Sequence, residues 1–103
     1  DRKYREKYDY AIARAVAGMN VLSELCLPLV RISGKFVAFK GNAEEELNAA
    51  KSAIKTLGGK VKEVYSFDLP CGAGKREIIE VEKVLSTDIK YPRQYAKIKK
   101  FPL

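Results

Sequence analysis

Read as a pattern of apolar and polar positions, the chain alternates between short apolar runs and helical stripes. Phe36, Val37, Ala38 and Phe39 form a four-residue apolar run that ends on Lys40, with Gly34 and Gly41 on either side. A run this short between turn signals predicts a strand buried on both faces, as in a parallel sheet with helices above and below. Ser33 and Gly34 are expected to turn the chain into that strand, and Lys40 to stand where it leaves the sheet. Tyr10, Ala11, Ile12 and Ala13 predict a second buried strand, ending at Arg14.

Between these runs the period changes. Leu22, Leu25, Cys26 and Leu29 fall at i, i+3, i+4 and i+7, the stripe of an amphipathic helix, with Asn20 as its expected N-cap and Pro28 at its end. Asn42 with Glu45 approximates a capping box, and Glu44, Glu45 and Glu46 suit the positive end of a helix dipole. Leu47, Ala50, Ile54 and Leu57 mark the buried face of that second helix, which Gly58 and Gly59 stop. Lys60 to Leu69, with Tyr65, Phe67 and Leu69 alternating, and Glu77 to Leu85 read as two further strands. Pro70 to Arg76 is too short for a parallel crossover, so these two are antiparallel if they pair. The order is strand, helix, strand, helix, strand, strand, within one α/β domain over residues 1–89 and a tail over 90–103.

Charge adds a partner class. The chain of 103 residues carries 20 Lys and Arg against 13 Asp and Glu, a net +7. Lys90, Arg93, Lys97, Lys99 and Lys100 stand in a tail without acids, interleaved with Tyr91, Tyr95 and Phe101. Cations for phosphates and aromatic faces for bases suit an RNA-contacting segment; a solvated, partly disordered terminus is the plain alternative. Ligands of open α/β sheets bind at the carboxyl ends of the strands, so Lys40 before Gly41 is a candidate anion contact, or else a solvated lysine in a turn.

Other chemistries find little support. The chain has no histidine, and its two cysteines, Cys26 and Cys71, lack metal-ligand spacing, so neither a zinc site nor a disulfide framework is expected. No apolar stretch approaches the roughly 20 residues of a membrane span and no signal peptide is present, which reads as a soluble, cytoplasmic protein. The first residue is Asp1 and the one methionine is Met19, so the chain reads as a piece of something longer. Cys71-Gly72-Ala73-Gly74-Lys75 invites a phosphate-loop reading, but Leu69 stands where a glycine is needed and Arg76 where Ser or Thr is needed. It leads into a strand and offers no helix N-terminus, so a hairpin connection is the better account. No acid-base or nucleophilic constellation stands out, and no catalytic residue is assigned.

Several short motifs in order are more specific: Tyr8-Asp9-Tyr10, Ala13-Arg14-Ala15-Val16-Ala17, Leu27-Pro28-Leu29, Gly34-Lys35-Phe36, Lys40-Gly41, Leu69-Pro70, Tyr91-Pro92-Arg93 and Pro102-Leu103. Together they closely resemble the ribosomal RNA small-subunit methyltransferase G family, also called glucose-inhibited division protein B, over essentially the whole chain. The resemblance implies the C-terminal half of a class I, Rossmann-like methyltransferase whose last strand is inserted antiparallel. It further implies transfer of a methyl group from S-adenosylmethionine to a guanine N7 of 16S ribosomal RNA, on the free RNA or the small ribosomal subunit. By the same resemblance Arg14 lines the cofactor pocket, Lys40 and Arg76 are cofactor-side or RNA contacts, and Arg93, Lys97, Lys99 and Lys100 contact RNA phosphates.

The family's glycine-rich cofactor loop and its ribose-holding acid belong upstream of Asp1, so this chain alone is expected to be inactive. Ala96-Lys97-Ile98 replaces the usual Gly-x-Pro after Tyr-Pro-Arg, and the loop around Cys71 also departs from the pattern. A half domain should expose a sheet edge and an apolar patch, and is expected to self-associate. Two other readings stay open: a non-catalytic basic α/β module that binds RNA, and an interaction fragment with no nucleic-acid role.

Overall fold

The computed structural model describes residues 4–14, 18–40, 44–72 and 74–103. Their order is β1 (Tyr8–Arg14), α1 (Met19–Cys26), β2 (Val30–Lys40), α2 (Glu44–Thr56), β3 (Gly59–Asp68), β4 (Lys75–Lys83) and α3 (Tyr95–Lys100). Single 3-10 turns lie at Leu27–Leu29 and Pro70–Gly72. The four strands form one sheet in the order β1-β2-β4-β3. β1 and β2 are parallel, and β4 is inserted antiparallel to both β2 and β3. The predicted succession of elements is thus observed, with α3 added in the tail.

Both long helices pack on the same face of the sheet, not above and below it as the apolar run predicts. Phe36 and Ala38 of β2, with Ile79 and Val81 of β4, share one core with Met19 and Leu22 of α1 and Leu47, Ala50, Ile54 and Leu57 of α2. β2 is accordingly buried on one face only: Phe36 and Ala38 are fully covered while the intervening Val37 is half-buried and Phe39 exposed. The opposite face carries Tyr10 (60% exposed), Ile12 (67%), Phe39, Tyr65 and Phe67. Register places these together, since Ile12 faces Val37, Phe39 faces Ile78, and Ile78 faces Tyr65.

Ser33 and Gly34 lie inside β2 and do not precede it. From Tyr8 to Tyr10 β1 advances two residues while β2 advances five, Val30 to Lys35, so the turn signal is spent on a bulge with Ser33 at φ 75°. Gly34 is required there, because a Cβ would lie 2.6 Å from the Asp9 carbonyl oxygen. In β3 a bulge between Val61 and Glu63 leaves Val61 and Val64 toward the core and turns Tyr65 and Phe67 away from it.

The α1 N-cap is Gly18 and not Asn20, which sits inside the helix and accepts a hydrogen bond from Val21 N (3.0 Å). Leu22 and Cys26 face the core as expected, but Met19 completes that face, and Leu25 and Leu29 are only half-buried. The Pro28 turn ends the helix. Asn42 of the expected capping box lies outside the described residues, as does the side chain of Glu45. All four apolar positions predicted for α2 are buried, and Gly58, at φ 89°, closes it.

Residues 84–103 fold back over this core. Tyr91 and Ile98 are buried, and Thr87 Oγ1 donates to Leu57 O at 2.6 Å. Arg5 donates to the carbonyls of Thr87, Asp88 and Tyr91, and Glu6 accepts from Thr87 N. Lys83 is fully buried, and its Nζ donates to Leu27 O (2.7 Å) and Val30 O (2.9 Å) with Glu6 Oε1 at 3.4 Å. Burial pulls its pKa below the ordinary lysine value against the attraction of Glu6.

Candidate functional site

Because β4 runs against β1 and β2, its first residues lie beside their carboxyl ends. A cleft of ≈ 780 Å³ opens there, lined by Ile12, Arg14, Phe39, Lys40, Arg76, Glu77 and Ile78. Arg14, Lys40 and Arg76, named from the sequence separately, thus come from three strands to one cavity. Arg76 is the second residue of β4 and does not precede it, because the strand begins at Lys75. Its guanidinium donates to Lys75 O at 3.0 Å.

Lys40, at 8% exposure, sits opposite Glu77, at 6%, in the β2–β4 register. Ser66 Oγ, from β3, donates to Glu77 Oε2 at 3.0 Å. Three cations against one carboxylate give the described lining a positive balance, and Ile12, Phe39 and Ile78 supply an apolar wall. Such a cleft can hold an anionic group on Arg14 and Arg76 with an apolar or aromatic body against the wall. Glu77 is a cleft residue the sequence reading treated only as the start of a strand. The β4 alternation 77, 79, 81, 83 put it in phase with core positions, and a carboxylate in that phase signals a partner.

The tail contributes nothing to this lining. Arg93 is turned away from the expected phosphate role by Glu24, a fully buried residue of α1. Arg93 N and Nε both donate to Glu24 Oε2 at 2.9 Å, and NH2 donates to Oε1 at 2.7 Å. Burial raises the Glu24 pKa, but these hydrogen bonds and the Arg93 charge outweigh it and hold the carboxyl below its usual range. A lone glutamate in the apolar run Val21 to Leu29 was the available signal, since a buried charge demands a partner.

Lys97, Lys99 and Lys100 are exposed on α3. Lys99 lies over the Tyr95 ring at 5.8 Å and Lys100 over Phe101 at 5.7 Å, so these rings already carry cations. Tyr91, buried in the core, is unavailable for base stacking. The Cys71 segment is the hairpin expected, with Leu69 N donating to Gly74 O at 2.7 Å. Burial pushes the Cys26 thiol up to about 11, and among the described residues no group of His, Cys, Asp and Glu could hold a metal ion.

Comparison with known proteins decides what kind of chain presents this cleft. A family described as rRNA small subunit methyltransferase G matches residues 1–79. The chain belongs to that family. Ribosomal RNA small subunit methyltransferase G of Acetivibrio thermocellus is 48% identical over 103 residues, 100% of this chain and 43% of its own length. The Bacillus subtilis protein of that name is 52% identical over 100 residues, 96% of this chain and 42% of its own. The Staphylococcus aureus (strain Newman) protein is 52% identical over 101 residues, 97% and 42%. This member thus spans less than half the length of the curated relatives it matches.

Among solved structures, M1.HpyAVI in its complex with SAM superposes with a TM-score of 0.57 at 14% identity, over 78% of this chain and 45% of that one. M1.HpyAVI alone gives 0.56 at 15%, over 78% and 48%. The likeness is one of fold: a Rossmann-like methyltransferase sheet with an inserted antiparallel strand.

Proposed function

We propose that this chain forms part of an enzyme that methylates a guanine N7 of 16S ribosomal RNA, with S-adenosylmethionine as methyl donor. The observation that carries the reading is the convergence of Arg14, Lys40 and Arg76 in one cleft at the carboxyl ends of β1 and β2. The cleft fits the donor in part. Its exposed Arg14 guanidinium suits a carboxylate, and its apolar wall suits a flat ring. The donor, when bound, supplies a methyl on a sulfonium sulfur. Guanine N7 offers a lone pair and no proton, so the protein's task is alignment, and the transfer needs no general base. In this reading Arg14 fixes the donor's anionic end, while Arg76 and Lys40 set the positive potential that draws the RNA, Lys40 being held by its place opposite Glu77. Its partner is then 16S rRNA or the small ribosomal subunit, in the cytoplasm. Among the described residues no helix is long and apolar enough to cross a membrane.

The test is methyl transfer from labelled S-adenosylmethionine to unmodified small subunits by the full-length protein, with Arg14→Ala beside it. A charge-assisted hydrogen bond contributes about 1.5–3 kcal/mol, so the variant should bind the donor roughly 10- to 150-fold more weakly at an unchanged melting temperature. Unchanged donor affinity would remove Arg14 from the site, and no transfer by the wild type would remove the activity. The second reading, an RNA-binding module without catalysis, draws on the exposed α3 lysines. With Arg93 committed to Glu24, Lys90, Lys97, Lys99 and Lys100 remain, and single-stranded RNA binding through them would show a log–log salt slope of roughly −2.8.

A further inference from the structure

A second cavity lies at the other end of the sheet, roughly 20 Å along β4 from Glu77 to Lys83 at about 3.3 Å per residue. It measures ≈ 390 Å³ and is walled by Ile54, Val61, Val84, Leu85 and the backbone of Gly58 and Gly59, with Lys51, Lys55 and Lys60 at its rim. We infer that this cavity is an RNA contact distinct from the methyl-transfer cleft, taking one unpaired nucleotide with its base in the pocket and the flanking phosphates on the three lysines. The inference rests on the proposed action on rRNA.

Three observations support it. The pocket is built rather than incidental: Gly58 O accepts hydrogen bonds from both Val84 N (2.8 Å) and Leu85 N (3.0 Å), which clamps the strand exit against the end of α2. Its walls are aliphatic, and Leu85 remains 66% exposed, which suits the face of a base lifted out of its stack between apolar side chains. Its rim is cationic and uncommitted. Lys51 and Lys55 stand one helical turn apart on α2, Lys60 rises from the start of β3, and among the described residues none of the three has an ion-pair partner. Lys60 lies opposite Glu82 in the register without pairing with it. The cavity borders β3, the outer strand on the side of the sheet away from β1.

The experiment measures binding of the full-length protein to 16S rRNA by filter retention across a salt series, with donor affinity and methyl transfer followed in parallel. Replacing Lys51, Lys55 and Lys60 together by Gln should flatten the log–log salt slope by roughly 2, at about 0.7 per phosphate on single-stranded RNA. Leu85→Glu, at an exposed position, should weaken RNA binding while donor affinity stays at the wild-type value. A triple variant that keeps the wild-type slope while methylation proceeds would overturn this contact and leave the proposed activity standing. An unaffected Leu85→Glu would overturn the base pocket. Wild-type protein that transfers no methyl, yet loses RNA affinity in the triple variant, would overturn the activity and support the contact.

Discussion

Lys83→Met is the perturbation whose size the structure constrains best. Methionine keeps the length and apolar stem of the buried lysine, so little cavity is created. What is lost is the pair of hydrogen bonds at 2.7 and 2.9 Å that the ammonium gives to Leu27 O and Val30 O, and the 3.4 Å approach to Glu6. Hydrogen bonds to a charged group contribute about 1.5–3 kcal/mol each, a gross loss of about 3–6 kcal/mol. Relief of the ammonium's desolvation offsets a few kcal/mol of this, and the net expectation is a loss of about 2 kcal/mol. At about 4–8 °C per kcal/mol for a domain of this size, the melting temperature should fall by roughly 8–16 °C. The assay is urea unfolding followed by circular dichroism, where the midpoint should drop at constant slope. A variant as stable as wild type would refute the claim that Lys83 ties the Leu27–Leu29 turn and the start of β2 to β4.

Three further outcomes follow from the same geometry. Glu24 has a folded pKa below its unfolded value, so its contribution to stability is fully present above about pH 4.5 and is lost as pH falls through the lowered value. Arg93→Met keeps the backbone N–H donor at residue 93 but removes the guanidinium's hydrogen bonds and charge, so burial weighs more and that pKa rises, and melting temperatures of variant and wild type should converge on acidification; parallel curves would refute the pairing. Gly58→Ala should destabilise by about 1–3 kcal/mol, since φ is 89° and the new Cβ would run into the Leu85 carbonyl oxygen, and a neutral effect in thermal unfolding would exclude that turn geometry. The chain by itself should self-associate through the free edge of β1 and the apolar face around Ile12 and Phe39. Sedimentation of a strictly monomeric, highly stable species would count against this.

The order of elements, the buried face of α2, the antiparallel last strands and the hairpin at Cys71 all follow from local periodicity and turn residues. The candidate status of Lys40 followed from its place at a strand's carboxyl end, while Arg14 and Arg76 became candidates only through the resemblance of their motifs to the family. Tertiary structure decided which faces are covered. A four-residue apolar run has the same composition whether one side or both are packed, so the open face of Phe39 and Ile12 was invisible until both helices were seen on one side. It also decided the fate of charges. Glu24 with Arg93, and Lys83 with the Leu27 and Val30 carbonyls, join residues more than 50 positions apart. Pairing over such distances depends on how the chain returns on itself, because the energy of a buried charge is set by the neighbours that packing supplies and not by the residues beside it in sequence.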